Sequence, residues 1–193
     1  MTTIAAIQGD GWVVMGADSQ ATYNEYRNLY MRDHKIIDNN GILIAGCGIG
    51  RGMNLLQRSW KAPKPRTKLT PEELDNWMVK TFIPKMRQVF IEGGYDMKDD
   101  GDYAKFENVF IVAVQGHVYV IDEDYSLDRD ARGYFTSGSG GDFAQGSLYS
   151  SSKNMKIFTN LDQAKKAMTT AIDAAKEFDT NSGGETRIYI QNV

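Results

Sequence analysis

The chain opens Met1-Thr2-Thr3-Ile4-Ala5-Ala6-Ile7-Gln8-Gly9-Asp10-Gly11-Trp12-Val13-Val14-Met15-Gly16-Ala17-Asp18-Ser19-Gln20-Ala21-Thr22. Ile4 and Ala6 alternate with the positions between them, Gly9-Asp10-Gly11 makes a turn, and the apolar run Trp12 to Met15 stops at Gly16-Ala17-Asp18-Ser19. Strand, Asp-Gly turn and strand form a β-hairpin. The opening residues carry no basic region or cleavage site of a signal peptide, so the fold is expected to begin at residue 2.

Outward from this hairpin the pattern repeats. A polar, tyrosine-rich stretch (residues 23–32) precedes a second hairpin, His34-Lys35-Ile36-Ile37, turn Asp38 to Gly41, and the apolar run Ile42 to Ala45. The glycine run Gly46 to Gly52 is expected to break that strand and lead into a helix ending near Trp60. Residues 61–68 are basic and hold two of the four prolines, which marks a surface connection. Thr70-Pro71-Glu72-Glu73 is a helix start with a Thr cap, Pro in the first turn and Glu three residues on. Leu74, Trp77, Met78, Phe82, Met86, Val89 and Phe90 follow at helical spacing, with Pro84 expected to kink or interrupt the helix.

The acidic, glycine-bearing residues 93–107 read as a loop. A third hairpin spans Val109 to Val114 and His117 to Ile121, and a short strand, Gly133 to Thr136, leads into Ser137-Gly138-Ser139-Gly140-Gly141. A helix to about Ser152, a second helix capped near Asn160, and a closing strand Arg187 to Ile190 complete the chain. Strands bunched between helix pairs predict an α+β fold: two antiparallel sheets packed face to face with helix pairs outside, a four-layer αββα sandwich. With 193 residues and no internal repeat or linker, residues 1–193 form one domain.

Composition excludes several functions. Lys and Arg total 22 against 25 Asp and Glu, a net charge of −3, so nothing favours a nucleic-acid or anionic-membrane partner. No apolar run approaches the roughly 20 residues of a membrane span. The one cysteine cannot form an internal disulfide, which fits a reducing cytoplasm. The glycine run fails as a dinucleotide loop, because Arg51 and Met53 stand where its spacing needs glycine. The loop Asp96 to Gly101 has Lys98 where a calcium loop needs an oxygen ligand, and two histidines with one cysteine make a zinc site a poor fit. Ser139 has Ser137 rather than Gly two residues before it, so a nucleophile elbow is absent. No metal and no cofactor are expected.

Nucleophilic chemistry therefore needs a base other than histidine. Methionine before a small residue is normally trimmed in the cytoplasm, which would expose Thr2 with a free α-amine. Such an amine has a pKa of about 7.7–8.0, near the value that suits a general base. A terminal threonine thus carries nucleophile and base in one residue.

Thr2-Thr3-Ile4, Gly16 to Thr22, Lys35-Ile36, Gly138 to Gly141 and Asp179-Thr180-Asn181-Ser182-Gly183-Gly184 occur in an order and spacing that resembles the proteasome β-subunit/HslV group of N-terminal-nucleophile hydrolases. The opening hairpin and Gln20-Ala21-Thr22 look most like HslV, and the Asp-x-x-Ser-Gly-Gly ending is similar to proteasome β-subunits. The resemblance implies Thr2 as nucleophile, Lys35 rather than His34 as the neighbouring cation, and Asp18 as its partner. It implies a hydrogen-bonded group of Ser139, Asp179 and Ser182 around the α-amine. An oxyanion-hole N–H would come from Gly48 or Ile49, and Ala21, Thr22 and Cys47, with Arg32 and Asp33 nearby, would line the substrate pocket. It further implies a cytoplasmic homo-oligomer of stacked rings that degrades unfolded polypeptides supplied by a separate ATP-dependent unfoldase. Two alternatives keep the same fold: a ring subunit without catalysis, and a small-molecule amidase.

Overall fold

The structure, a computed structural model, describes residues 2–23, 27–96, 104–152 and 158–193. Met1, and with it the question of its removal, lies outside the described residues, as do residues 97–103 of the acidic loop.

The opening hairpin forms as its sequence dictates. Strands β1 (Ile4–Gln8) and β2 (Trp12–Ala17) pair antiparallel from Ile4 opposite Ala17 to Gln8 opposite Val13. Gly11 closes the turn with φ +74°, a conformation glycine adopts without steric cost. Both faces of β1 are buried rather than one. Ala5 and Ile7 face a helix layer, while Ile4 and Ala6 face a second sheet.

A four-stranded sheet is built around this pair in the order β10-β1-β2-β11, where β10 is Tyr134–Ser137 and β11 is Arg187–Asn192. The second sheet has five strands in the order β5-β6-β7-β8-β9: Ile36–Asn39, Ile42–Gly48, Asn108–Val114, His117–Ile121 and Leu127–Asp128. All pairings are antiparallel. Ile4, Val13, Met15, Ile36, Leu43 and Ile111 are among the side chains filling the space between the sheets.

Helices cover the outer faces. Helix α1 (Gly50–Arg58), α2 (Pro71–Trp77) and α3 (Ile83–Glu92) pack on the five-stranded sheet, burying Leu56, Leu74, Met86 and Phe90 against Ile44 and Phe110. Helices α4 (Gly141–Ser151) and α5 (Leu161–Phe178) cover the other sheet. Met168 and Ile172 of α5 are fully buried, each contributing about 1.5–3 kcal/mol. A Cβ on Gly16 would sit 2.6 Å from Met168, so a larger residue would hold α5 off β2. This is the predicted αββα arrangement.

Three local features differ from the expected pattern, while the interruption near Pro84 appears as expected. The strand β6 does not stop at Ala45 but runs through the glycines to Gly48. Gly46 is a packing residue there, since a Cβ would meet Met53 at 2.7 Å and Phe110 at 2.8 Å. The first helix ends at Arg58, short of Trp60. The long helical pattern begins at Thr70 with both halves of the capping box and is interrupted near Pro84 by a π-helical segment, Met78–Phe82. There the Ile83 N–H donates to the Met78 carbonyl five residues back. The polar stretch after Ser19 forms a hairpin of its own, β3 (Gln20–Tyr23) with β4 (Arg27–Tyr30). Its Leu29 and Tyr30 are about 60% and 63% exposed, so no buried alternation betrays it in the sequence.

Candidate active site

Three elements end at one point. Thr2 and Thr3 enter β1, Asp18 leaves β2, and Lys35 enters β5. Because Ile4 pairs with Ala17, the ladder continues one step further. The Asp18 N–H donates to the Thr3 carbonyl at 3.2 Å, and the Thr3 N–H donates to Asp18 Oδ1 at 2.8 Å. The Lys35 ammonium donates to the same Oδ1 at 2.7 Å. Asp18 Oδ2 accepts from the N–H groups of Gln20 at 3.1 Å and Gly183 at 3.0 Å. The Asp18 side chain is fully buried and Lys35 nearly so. Burial pushes the Lys35 pKa below its ordinary value, and the Asp18 carboxylate works against that shift.

A second group surrounds Thr3. Asp179, the C-cap of α5, accepts at Oδ2 from the hydroxyls of Ser139 and Ser182, each at 2.7 Å. The Ser182 and Thr3 hydroxyls are 2.6 Å apart. Burial alone would raise the Asp179 pKa, but the bonds from Ser182, Ser139 and Asn181 outweigh it and hold the carboxyl below its ordinary value. The loop Gly138 to Gly141 can lie this close because Gly138 and Gly140 lack side chains. A Cβ on Gly138, at φ +95°, would be 1.9 Å from the Thr2 carbonyl oxygen, and one on Gly140 would be 2.1 Å from the Thr3 hydroxyl.

A cavity of about 250 Å³ opens over Thr2 and Lys35. Ala21 and Thr22 form one side, Gly46, Gly48, Ile49 and Gly50 another, and Met31, Asp33, His34, Met53, Asn54, Gln57 and Asn108 the rest. Of the predicted pocket residues, Ala21, Thr22 and Asp33 line it. Cys47 does not: its side chain points between the sheets, with Sγ 3.1 Å from the Ser137 hydroxyl, because adjacent strand residues face opposite ways. Burial pushes the Cys47 thiol pKa up. Arg32 borders a separate groove of about 440 Å³ with Trp60 and Tyr189. His34 lines the cavity, and its Nδ1 is hydrogen-bonded to the Tyr189 hydroxyl, while the buried neighbour Lys35 carries the pairing with Asp18.

The two candidate oxyanion donors separate. The Ile49 N–H donates to the Glu107 carbonyl at 3.1 Å and is occupied. Gly48 belongs to the peptide whose carbonyl is that of Cys47, and this carbonyl accepts from Asn108 Nδ2 at 2.9 Å. In a trans peptide N–H and C=O point in opposite directions. The Gly48 N–H therefore points away from Asn108, toward the side on which Gly46 donates to Lys35. Helix α1 begins at the cavity wall, with Gly50 lining it and Ile49 as an N-cap that supplies no side-chain bond. The walls Met31, Met53, Asn54, Gln57 and Asn108 were not singled out in the sequence. Asn108, a polar residue at the head of a buried apolar strand, left a signal that could have been used.

Among the described residues, no three His, Cys, Asp or Glu side chains gather where they could share a metal ion, and no helix is long and apolar enough to cross a membrane.

Two antiparallel sheets stacked between helix pairs make a four-layer αββα sandwich in which β1, β2, β5 and β6 converge on the site. Among solved structures the chain is similar to BPH from Thiobacillus denitrificans, with a TM-score of 0.69 at 15% identity over 99% of this chain and 98% of that one. The same BPH in complex with epoxomicin gives a TM-score of 0.69 at 14% identity over the same shares. Eukaryotic HslV from Trypanosoma brucei gives a TM-score of 0.65 at 19% identity, covering 100% of both chains. No family model matches the sequence, and no curated protein does. The likeness is one of fold.

Proposed function

We propose that this chain is a threonine endopeptidase subunit. The observation that carries the reading is the buried Asp18–Lys35 pair at 2.7 Å, tied to the Thr3 N–H at the floor of a cavity lined by Thr2. With Met1 removed, the Thr2 α-amine takes the proton of the Thr2 hydroxyl, and Oγ1 attacks the scissile carbonyl carbon. The negative charge that develops on the carbonyl oxygen meets the Gly48 N–H, a contribution typically worth about 3–4 kcal/mol in the transition state. The C–N bond breaks, the departing amine takes the proton, and the acyl group remains as an ester on Thr2. Water, giving its proton to the same amine, then releases the acid. Lys35 supplies positive charge beside the nucleophile and Asp18 fixes its position. Ser139, Asp179 and Ser182 hold the start of β1 through Thr3.

The fold shared with HslV and BPH supports assembly into rings, and the proposal extends to stacked homo-oligomeric rings in the cytoplasm that receive unfolded chains from a separate ATP-dependent unfoldase. No cofactor enters the scheme. The test is hydrolysis of a fluorogenic peptide by protein whose intact mass begins at Thr2. Turnover that disappears in Thr2→Ala, together with a particle of ring size in light scattering, is the expected outcome. Turnover retained in Thr2→Ala would overturn it. Epoxomicin, the compound in the BPH complex, is expected to suppress that turnover.

A further inference from the structure

Asn108 stands at the first position of β7, opposite Gly48, and is 4% exposed. Its amide is used at both ends. Oδ1 accepts from the buried Tyr95 hydroxyl, and Nδ2 donates to the Cys47 carbonyl at 2.9 Å. The glycines around it are spaced to admit it. A Cβ on Gly48 would lie 2.8 Å from Nδ2, and one on Gly52 would lie 2.6 Å from Oδ1. The side chain is therefore bonded to the end of β6 and packed against Gly52 in the first turn of α1.

We infer that Asn108, oriented by Tyr95, is a positioning residue that sets the Cys47–Gly48 peptide plane and so aims the Gly48 N–H at the carbonyl oxygen of the bound substrate. This rests on the threonine-peptidase reading and deepens it. Holding the Cys47 carbonyl on the β7 side fixes the N–H of the same peptide on the cavity side, since the two are antiparallel across a trans bond. Gly48 has φ +119°, a region in which glycine has low-cost alternatives, so its peptide needs an outside restraint. The Ile49 to Glu107 bond restrains the next peptide, not this one.

The test is Asn108→Asp, nearly equal in shape, which keeps an oxygen for Tyr95 and replaces the donor to Cys47 with an acceptor. Peptide hydrolysis and labelling of Thr2 by a peptide vinyl sulfone, which has no scissile carbonyl, are measured on wild type and variant. The expected result is a loss of about 10–100-fold in kcat, below the 10²–10³-fold of a deleted oxyanion donor because the N–H is misaimed rather than absent. KM stays within about twofold and the labelling rate within about threefold. Lowering the pH restores part of the variant's activity relative to wild type, because a protonated carboxyl can again donate to Cys47. The neighbouring Tyr95 and Cys47 stay neutral in that range, both pKa values being raised by burial, and the charged groups nearby, Glu107 beside Tyr95 and Lys35 beside Cys47, are the same in wild type and variant. Tyr95→Phe gives a smaller kcat loss with the same unchanged KM. An unchanged kcat in Asn108→Asp overturns the inference, as does a parallel fall in hydrolysis and labelling. Wild-type protein that begins at Thr2 and neither hydrolyses nor labels would instead overturn the peptidase reading on which it rests.

Discussion

Asp18→Asn tests the electrostatic frame of the site. All four bonds to the Asp18 carboxylate come from donors: the N–H groups of Thr3, Gln20 and Gly183 and the ammonium of Lys35. An amide can accept at its single oxygen only, so its NH2 must face two of these donors. The Lys35 charge also loses its buried carboxylate. Removing one member of a buried pair costs about 3–5 kcal/mol. At roughly 2–4 °C per kcal/mol for a chain of this size, the expected drop in Tm is about 6–20 °C. Lys35→Met serves as the comparison, because Asp18 then keeps three backbone N–H donors, and its loss should be clearly smaller. Calorimetry on both variants reads the difference. An Asp18→Asn protein melting within about 2 °C of wild type, or one more stable than Lys35→Met, would refute the reasoning.

Three further outcomes follow from the same geometry. Ser182→Ala removes a donor to Asp179 and a partner of Thr3, costing about 1–3 kcal/mol at neutral pH. Asp179 has a folded pKa below 3.8, so the unfolded chain binds more protons between the two values. Its contribution is thus present above about 3.8 and lost as pH falls through the folded pKa, and urea titrations should show the Ser182→Ala deficit shrinking over that window. Gly138→Ala puts a methyl 1.9 Å from the Thr2 carbonyl oxygen at a positive φ and should abolish peptide turnover while lowering Tm, read by activity and melting in parallel. Cys47, whose thiol is pushed up by burial, should react with an aromatic disulfide at pH 8 at least about 100-fold more slowly in native protein than in urea, and a native rate within threefold of the unfolded one would contradict this.

Much of the frame is legible in the sequence because it is local. The Gly9-Asp10-Gly11 turn sets the β1–β2 register, and that register puts Asp18 beside Thr3. The Thr70 capping box and the Asn160 cap appear where their spacing predicts. Glycine was harder to read. The run after Ala45 looks like a strand break, yet Gly46 remains in β6 because the facing Met53 and Phe110 leave no room for a Cβ. That contact joins residues 64 positions apart and leaves no local trace. The β3–β4 hairpin was illegible for the opposite reason, as its Leu29 and Tyr30 are exposed. Cys47 was expected at the cavity because its neighbours are there, but one step along a strand turns a side chain to the other face.

Catalysis by Thr2 requires its free α-amine. The most direct measurement compares peptide hydrolysis by protein beginning at Thr2 with the same protein retaining Met1, each form verified by intact mass. The amine-as-base mechanism predicts turnover in the first and a loss of at least about 100-fold in the second. Equal turnover in the two forms would contradict it.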